Sequence, residues 1–146
     1  MRRSNMETRD CINFILSNTQ NAVYSYFKKK LQEFDITPSQ YSLLSCLRSQ
    51  DGQTPSQLAQ ALKLDTSSIT GILSRTEKKE LIGRSYSQED RRSVSIHLRE
   101  EGLALLEQVD QVIEEANAKI TRGFDPKHYE QFLSYLSMIE NNIQND

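Results

Sequence analysis

Hydrophobic residues recur every three or four positions along almost the whole chain, and this spacing changes only once. In the stretch 9–34, in the short segments after Pro38 and Pro55, and again from Glu100 onward, apolar side chains fall on one face of a helix. Only at Val94–Leu98 do apolar and polar residues alternate, as they do in a strand with one buried face. The pattern predicts a mainly α fold with one small β-hairpin.

Two of the predicted helices begin with the same four residues. Thr37–Gln40 and Thr54–Gln57 both read Thr-Pro-Ser-Gln. In each segment Thr can cap the helix, Pro suits the first helical position and Gln can complete a capping box. Asp65 is placed to cap a third helix over about 66–79, only a few residues after the second. Two short helices joined by such a turn predict a helix-turn-helix.

A β-hairpin is predicted to follow the third helix. Ile82–Tyr86 can pair with Val94–Leu98, and the polar residues 87–92 between them form a charged tip. Helical spacing then returns, stops at Gly123 and restarts behind Asp125. The apolar seams of these last two helices step by three and four residues, which predicts helix-on-helix packing within or between chains.

The formal net charge of −2 hides an uneven distribution along the chain. Residues 1–34 carry six Lys/Arg against three Asp/Glu, and residues 36–99 carry nine against six, so each stretch has a charge of +3. Asp35 between them adds −1, and residues 100–146 carry three Lys/Arg against ten Asp/Glu, a charge of −7. A basic front and an acidic back predict two surfaces with different partners.

The composition argues against several classes of protein. The longest strongly apolar run, Leu103–Leu106, is far below the ~18 residues that a membrane span needs, and the N-terminus runs into charged residues. We therefore expect no membrane contact and a cytoplasmic location. Cys11 and Cys46 cannot form a disulfide framework, and His97 and His128 lie in no cluster with metal-ligand spacing. We predict no metal, no cofactor and, without a phosphate loop or a nucleophile–base set, no enzymatic activity.

The order of these segments resembles the MarR family of bacterial winged-helix regulators. The matching segments, in register over about residues 36–106, are Ile36–Tyr41, Thr54–Ala59, Leu64–Thr70, Lys79–Arg84, Glu89–Val94 and Leu98–Gly102. The resemblance implies an N-terminal dimerisation helix at 1–36, a winged helix-turn-helix DNA-binding domain at 37–99 and C-terminal dimerisation helices at 100–146. It implies a homodimer on a pseudo-palindromic operator in double-stranded DNA. A helix would enter the major groove, and the hairpin, or wing, would reach the minor groove.

The residues expected to contact DNA come from two helix starts and the wing. Helix N-termini bind anions, and hydroxyl groups there can bond to phosphates and base edges. The predicted set is Ser56 and Gln57 in the second short helix, Thr66, Ser67, Ser68, Thr70, Ser74 and Arg75 in the third, and Arg84, Asp90, Arg91 and Arg92 in the wing. By the resemblance, Asp90 braces the hairpin by pairing with an arginine, and Arg92 enters the minor groove.

The resemblance also implies a repressor whose operator binding responds to a small ligand, often phenolic. Tyr24, Phe27 and Tyr41 are candidate walls of its pocket, with core packing as the alternative.

The sequence departs from the family pattern at three places. Arg99 occupies the place of a usual capping Thr, so we expect the start of the following helix to be looser or capped otherwise. Gly71 occupies the place of a larger polar or basic residue and removes a DNA contact, so we expect an unusual DNA sequence preference. Ser85 and Tyr86 make the wing less basic than in many members.

Two other classes of function remain open at this stage. In the first, Cys11 is the switch of a peroxide sensor. However, the cysteine of the peroxide-sensing branch would fall about two residues later, near Asn13, which favours an ordinary helical residue. In the second, the chain is a winged-helix protein-interaction module that does not bind DNA. The sequence does not identify the operator or the ligand, and it does not distinguish a repressor from an activator.

Overall fold

The computed structural model describes residues 7–90 and 92–146. After a 3₁₀ turn at Thr8–Asp10, this part of the chain forms six helices and two strands. In chain order they are α1 Ile12–Leu31, α2 Pro38–Ser49, α3 Pro55–Ala61, α4 Thr66–Lys78, β1 Ile82–Tyr86, β2 Val94–Leu98, α5 Glu100–Ile120 and α6 Pro126–Gln144. The predicted mainly α fold with a β-hairpin is confirmed.

Both Thr-Pro-Ser-Gln segments start helices through the same pair of hydrogen bonds. The Thr37 hydroxyl oxygen accepts from the Gln40 amide at 3.2 Å, and the Gln40 side chain accepts from the Thr37 amide at 2.9 Å. Thr54 and Gln57 repeat these two distances at the start of α3. Each capping box satisfies two backbone N–H groups that would otherwise lack an intrahelical partner.

The first helix ends earlier than its hydrophobic spacing predicts. Residues 9–34 read as one helix, but α1 stops at Leu31 and a 3₁₀ turn covers Gln32–Phe34. The turn ends at Asp35 in the left-handed conformation, with φ of 54°, which Asp tolerates better than most residues. The Lys79 ammonium donates to the Asp35 carbonyl and lies 3.3 Å from its carboxylate. The chain therefore turns at Asp35, where Lys79 at the end of α4 contacts it.

The hydrophobic core lies beneath α2, where α4, the hairpin and α5 meet. Its fully buried apolar side chains are Leu31, Leu43, Leu44, Leu47, Leu58, Ile69, Leu73, Ile82, Ile96, Leu106 and Val109. The strands are antiparallel, with Ile82 opposite Leu98 and Tyr86 opposite Val94. This core joins the short helices and the hairpin into one body.

The start of α5 packs tightly although it lacks a side-chain cap. Among the described residues, the Arg99 side chain makes no capping hydrogen bond, as expected from the missing Thr. The Arg99 amide instead donates to the Leu81 carbonyl at 3.0 Å. Gly102 is buried against the same carbonyl, where no Cβ fits. The start of α5 is therefore held by its contact with Leu81, in the loop between α4 and β1, and not by a side-chain cap.

Helix α6 contributes nothing to this core. Within residues 126–144, all of which the structure describes, no side chain is buried, and in α1 only Leu31 is. Large apolar side chains of these helices and of α5 instead face outward: Ile12, Phe14, Ile15, Leu16, Tyr24, Leu103, Ile120, Tyr129, Phe132, Leu133, Tyr135, Met138 and Ile143. Monomeric soluble proteins rarely expose so much apolar surface, so another chain is expected to cover it. Among the helices that the structure describes, none has both the length and the hydropathy to cross a membrane.

Candidate nucleic-acid interface

Helices α3 and α4 form the predicted helix-turn-helix. The turn between them places Lys63 in the left-handed conformation, with φ of 53°, and the Leu64 amide donates to the Ala59 carbonyl at 2.8 Å. Leu58 and Ile69 are buried, and they fix the two helices on the core. The outer face of α4 is thereby held in one orientation.

The polar residues predicted on α4 all face solvent. Thr66, Ser67, Ser68, Thr70, Ser74 and Arg75 are exposed, whereas Ile69, Ile72, Leu73 and Thr76 are buried. The Thr70 hydroxyl donates to the Thr66 carbonyl at 2.7 Å, so its oxygen is left to accept from a partner. One helix face thus presents five hydroxyl groups and a guanidinium group.

The Asp65 carboxylate occupies the N-terminus of α4. It accepts from the Ser68 amide at 2.6 Å, and this bond, together with the Ser68 hydroxyl, holds the pKa of Asp65 below its ordinary value. Its negative charge is favourable at a helix N-terminus. It also uses an amide that would otherwise be free for a phosphate, so the exposed hydroxyls and Arg75 are the better placed DNA contacts on this helix.

Gly71 makes room for Arg75 on the exposed face of α4. A Cβ at Gly71 would lie 3.0 Å from Nη1 of Arg75, because the guanidinium folds back along the helix by one turn. The sequence predicted only that Gly71 removes a DNA contact. The contact could have been predicted from the sequence, because residues at i and i+4 lie on the same face of a helix.

Ser56 and Gln57 are exposed in the first turn of α3, as predicted. The Gln57 side-chain oxygen is already used in the capping box, so only its amide nitrogen remains to donate to a phosphate. The Ser56 hydroxyl lies beside it. A phosphate contact at this helix start would therefore be limited to these donors and the free backbone N–H groups.

The wing tip is closed by hydrogen bonds around Asp90. Its carboxylate accepts from the Arg92 amide at 2.9 Å, and its carbonyl accepts from the Ser93 amide at the same distance. Asp90 therefore braces the hairpin through the backbone of Arg92, and its pairing with an arginine side chain, which the resemblance implied, stays a prediction. The Arg92 side chain is exposed. The predicted contact at Arg91 lies outside the described residues.

Arg84 is already bonded within the protein, so its side chain is not free to meet a phosphate. Its Nε donates to Oε2 of Glu77 at 2.8 Å, and its side chain is only 26% exposed. The pair ties β1 to α4. A phosphate at Arg84 would have to compete with the Glu77 carboxylate, so we rank Arg84 below Arg92 among the predicted contacts.

The three predicted ligand-pocket residues line one cavity. Tyr24, Phe27 and Tyr41 surround a space of about 310 Å³ between α1, α2 and α5. Its other walls are Gln20, Val23, Leu31, Pro38, Ser42, Ile113 and Asn117. Aromatic walls with a few amide and hydroxyl groups suit a small aromatic molecule that carries polar substituents.

A bidentate ion pair links the winged domain to α5. Nη1 and Nη2 of Arg48 donate to the two Asp110 oxygens at 2.7 and 3.2 Å. This hydrogen bonding raises the pKa of Arg48 against the opposing effect of partial burial. The pair spans α2 and α5 on the surface, so it restrains the orientation of the DNA-reading helices on the long helix.

The two cysteines are free thiols in different settings. Cys11 precedes α1 and Cys46 lies within α2, and both are partly buried. The Cys46 carbonyl accepts from the Gln53 side chain at 3.4 Å, consistent with a packing role for this segment. Among the described residues, no group of three or more His, Cys, Asp and Glu side chains is arranged to hold a metal ion.

Comparisons with known proteins all lead to one family. A family model for the MarR family matches residues 36–94. The chain is 41% identical over 97 residues to the uncharacterized HTH-type transcriptional regulator YhbI of Bacillus subtilis, covering 63% of this chain and 62% of YhbI. It is 33% identical over 102 residues to the organic hydroperoxide resistance transcriptional regulator of Bacillus subtilis, covering 70% of this chain and 69% of that protein.

Solved structures share the fold of this chain. The chain superimposes on the S. aureus MepR–DNA complex with a TM-score of 0.84 and 25% identity, covering 90% of this chain and 98% of that one. The match extends well beyond residues 36–94. It therefore includes the long helices that flank the helix-turn-helix and wing.

Proposed function

Because the chain belongs to the MarR family of DNA-binding, winged-helix transcriptional regulators, we propose that its homodimer represses transcription from a pseudo-palindromic operator. The observation that carries the proposal is the exposed face of α4, with Arg75 laid along it, beside a braced wing that presents Arg92. MepR, which has the same fold, is described in complex with DNA. That description supports the same use of this surface.

In this proposal the two parts of the winged domain read different grooves. Helix α4 enters the major groove, where Ser67, Ser68 and Arg75 face base edges and phosphates. Arg92 enters the minor groove, where narrow A·T tracts concentrate negative potential. The two α4 helices of a dimer would meet half-sites about one helical turn apart, roughly 34–36 Å.

The first test is the substitution Arg92→Ala. We expect it to weaken operator binding by about 1–3 kcal/mol, because one cationic contact is lost in each wing. Fluorescence anisotropy with an operator duplex from the upstream region of the gene measures the change. If each subunit neutralises ~4 phosphates, the slope of log K against log salt should be about −7.

Arg122→Ala is the matched control for this measurement. Arg122 is an arginine just beyond the end of α5, outside the winged domain, and its loss should leave operator affinity unchanged. Equal affinity of the Arg92→Ala variant and the unaltered protein would remove Arg92 from the mechanism. Failure to bind any duplex, with no salt dependence, would favour a protein-interaction module.

We further propose that a small aromatic ligand in the 310 Å³ cavity modulates DNA binding. The cavity lies between α1, α2 and α5, where the winged domain meets the long helices. A ligand that fits better in one orientation of these helices shifts the population toward that orientation. The separation of the two α4 helices in the dimer would change with it.

The ligand proposal is tested by filling the cavity. Ser42→Phe places a ring among the cavity walls at an exposed position of α2. We expect phenolic compounds to release the unaltered protein from its operator and to lose that effect on the variant. Operator affinity without compound serves as the control for folding. Equal response of both proteins, or no response of either, would contradict a ligand site in this cavity.

A further inference from the structure

The base of the wing contains three side chains in a hydrogen-bonded series, here called the wing-base relay. Oδ2 of Asp51 lies 2.9 Å from Nδ1 of His97, and Nε2 of His97 lies 2.8 Å from the Ser85 hydroxyl. Asp51 belongs to the loop between α2 and α3, whereas Ser85 and His97 lie on β1 and β2. The relay therefore connects both strands of the wing to the loop before α3.

Asp51 also bonds to the wing backbone. Its second carboxylate oxygen accepts from the Leu98 amide at 2.7 Å. Beside it, the Gly52 amide donates to the Ile96 carbonyl at 3.0 Å, and the Ile96 amide donates to the Gln53 carbonyl at 2.8 Å. The loop thus pairs with β2 through one isolated antiparallel bridge between Gln53 and Ile96. Because it leads directly into the capping box of α3, the relay couples the position of the wing to the helix-turn-helix.

Asp51 is the acidic group that His97 contacts. Partial burial alone would raise the pKa of Asp51, but bonds from the Leu98 amide and the His97 ring hold it below its ordinary value. On the same face of the hairpin, Arg99 passes 4.0 Å from the Cβ position of Gly83 and pairs with Glu101 at 3.6 Å.

The other charged groups near β1 are already paired. Arg84 is adjacent to Ser85 on β1 and its side chain points to the opposite face of the hairpin, where it bonds to Glu77. The charged groups that the loop, β1, β2 and the start of α5 place around His97 are therefore Asp51, which is bonded to the ring, and Arg99, which is paired with Glu101. Of these groups, only the Asp51 carboxylate is shown bonded to the His97 ring. A proton on His97 therefore acts mainly through its attraction to Asp51.

We propose that Asp51, His97 and Ser85 position the wing for DNA binding, and that protonation of His97 strengthens this positioning. In the neutral ring one nitrogen donates and the other accepts, so Nδ1–H can bond to Asp51 while Nε2 accepts from Ser85. In the protonated ring both nitrogens donate, and the bond to Asp51 becomes an ion pair. A proton therefore favours the state in which the wing is held against the loop.

The inference rests on the proposed function, because its first readout is operator affinity. Histidine changes charge between about pH 5 and 8, so affinity should rise as the pH falls through this range. With one relay in each wing of a dimer and exposed ion pairs of ordinary strength, we expect binding to tighten roughly threefold to tenfold from pH 8 to pH 6. A purely structural role for His97 would give no such dependence.

The chain has two histidines, which provides a matched control. His128 lies 2.9 Å from the Asp125 carboxylate at the start of α6, so it makes the same kind of pair outside the winged domain. In anisotropy titrations between pH 6 and pH 8, His97→Gln should abolish the pH dependence, and Asp51→Asn should reduce it. His128→Gln should keep it. A pH dependence that survives in His97→Gln, or disappears in His128→Gln, overturns the proposal.

A second measurement needs no DNA and separates this inference from the proposed function. The Leu98 amide reports on the Asp51 carboxylate, so its NMR signal in the free protein should titrate together with the His97 ring. In His97→Gln that titration should be absent while the rest of the spectrum stays folded. A Leu98 signal that ignores His97 overturns the relay even if DNA binds. If the signal titrates but no duplex binds, the relay stands and the DNA-binding proposal fails.

Discussion

At the scale of single residues, two helical glycines have opposite physical roles. A Cβ at Gly102 would clash with the Leu81 carbonyl and lie 2.8 Å from Cδ1 of Leu98. A Cβ at Gly71 would meet only the flexible end of Arg75. Backbone cannot move aside as a side-chain terminus can. Gly102 is therefore required by packing, whereas a larger residue at Gly71 would only displace the Arg75 side chain on the surface.

We expect Gly102→Ala to destabilise the protein and Gly71→Ala to stabilise it. Overpacking at Gly102 should cost about 1–3 kcal/mol, whereas Ala at Gly71 should gain up to about 1 kcal/mol of helix propensity. Urea unfolding at one fixed protein concentration measures both, since stability of a dimer depends on concentration. Equal stability of the two variants would contradict the close approach of α5 to Leu81.

At the scale of secondary-structure elements, two identical capping boxes serve different surroundings. The box of Thr37 starts α2, which lies in the core, while the box of Thr54 starts α3, whose first turn carries Ser56 and Gln57. Their hydrogen bonds have equal lengths, so their local contributions should be alike. Any difference between the two helix starts in their effect on DNA binding must therefore come from the surroundings of each start, and not from the capping hydrogen bonds.

Substitution of either threonine by alanine separates these contributions. We expect Thr37→Ala and Thr54→Ala each to lower the free energy of unfolding by about 1 kcal/mol. Only Thr54→Ala should also weaken operator binding, because it loosens the first turn of α3. Thr54→Ser keeps the hydroxyl and should restore both properties. Equal losses of affinity in the two alanine variants would argue against a DNA-facing start of α3.

At the scale of the whole molecule, charge and apolar surface both separate the winged domain from α5 and α6, whereas α1 is basic and also exposes apolar side chains. The basic residues concentrate before residue 100, where the winged domain lies, and the acidic excess lies on α5, α6 and the residues around them. The same helices, with α1, expose the apolar side chains that the core leaves uncovered. Some of these acids are paired with the winged domain: Asp110 with Arg48, Glu101 with Arg99 and Glu140 with Lys63. One part of the molecule is therefore suited to phosphate and the other to a second copy.

Leu133→Glu tests this division of the molecule. Leu133 is 44% exposed on α6, and a carboxylate there should oppose burial in a subunit interface. We expect sedimentation to show a monomer and operator affinity to fall by about tenfold or more, because one chain reaches only one half-site. Ser134→Glu adds the same charge on the next residue and should remain dimeric. A dimeric Leu133→Glu variant would place the interface elsewhere.

Features set by neighbouring residues were predictable from the sequence, and features set by distant ones were not. Both capping boxes, the pairing of β1 with β2 and the exposed face of α4 follow from local spacing and helix-start residues. The early end of α1 did not follow, because Asp35 turns the chain against Lys79, far along the sequence. The contacts of Arg84 and of Asp90 were also predicted less specifically than the structure places them.

The sequence by itself determined the helices, the hairpin, the helix-turn-helix and the polar residues exposed on α4. These depend on propensities and periodicities that act within a few residues. Only the tertiary structure decided which charges are occupied. Arg48 is bonded to Asp110, Arg84 to Glu77 and His97 to Asp51 and Ser85. Such pairs form only once the core brings remote segments within hydrogen-bond distance, so no local pattern encodes them.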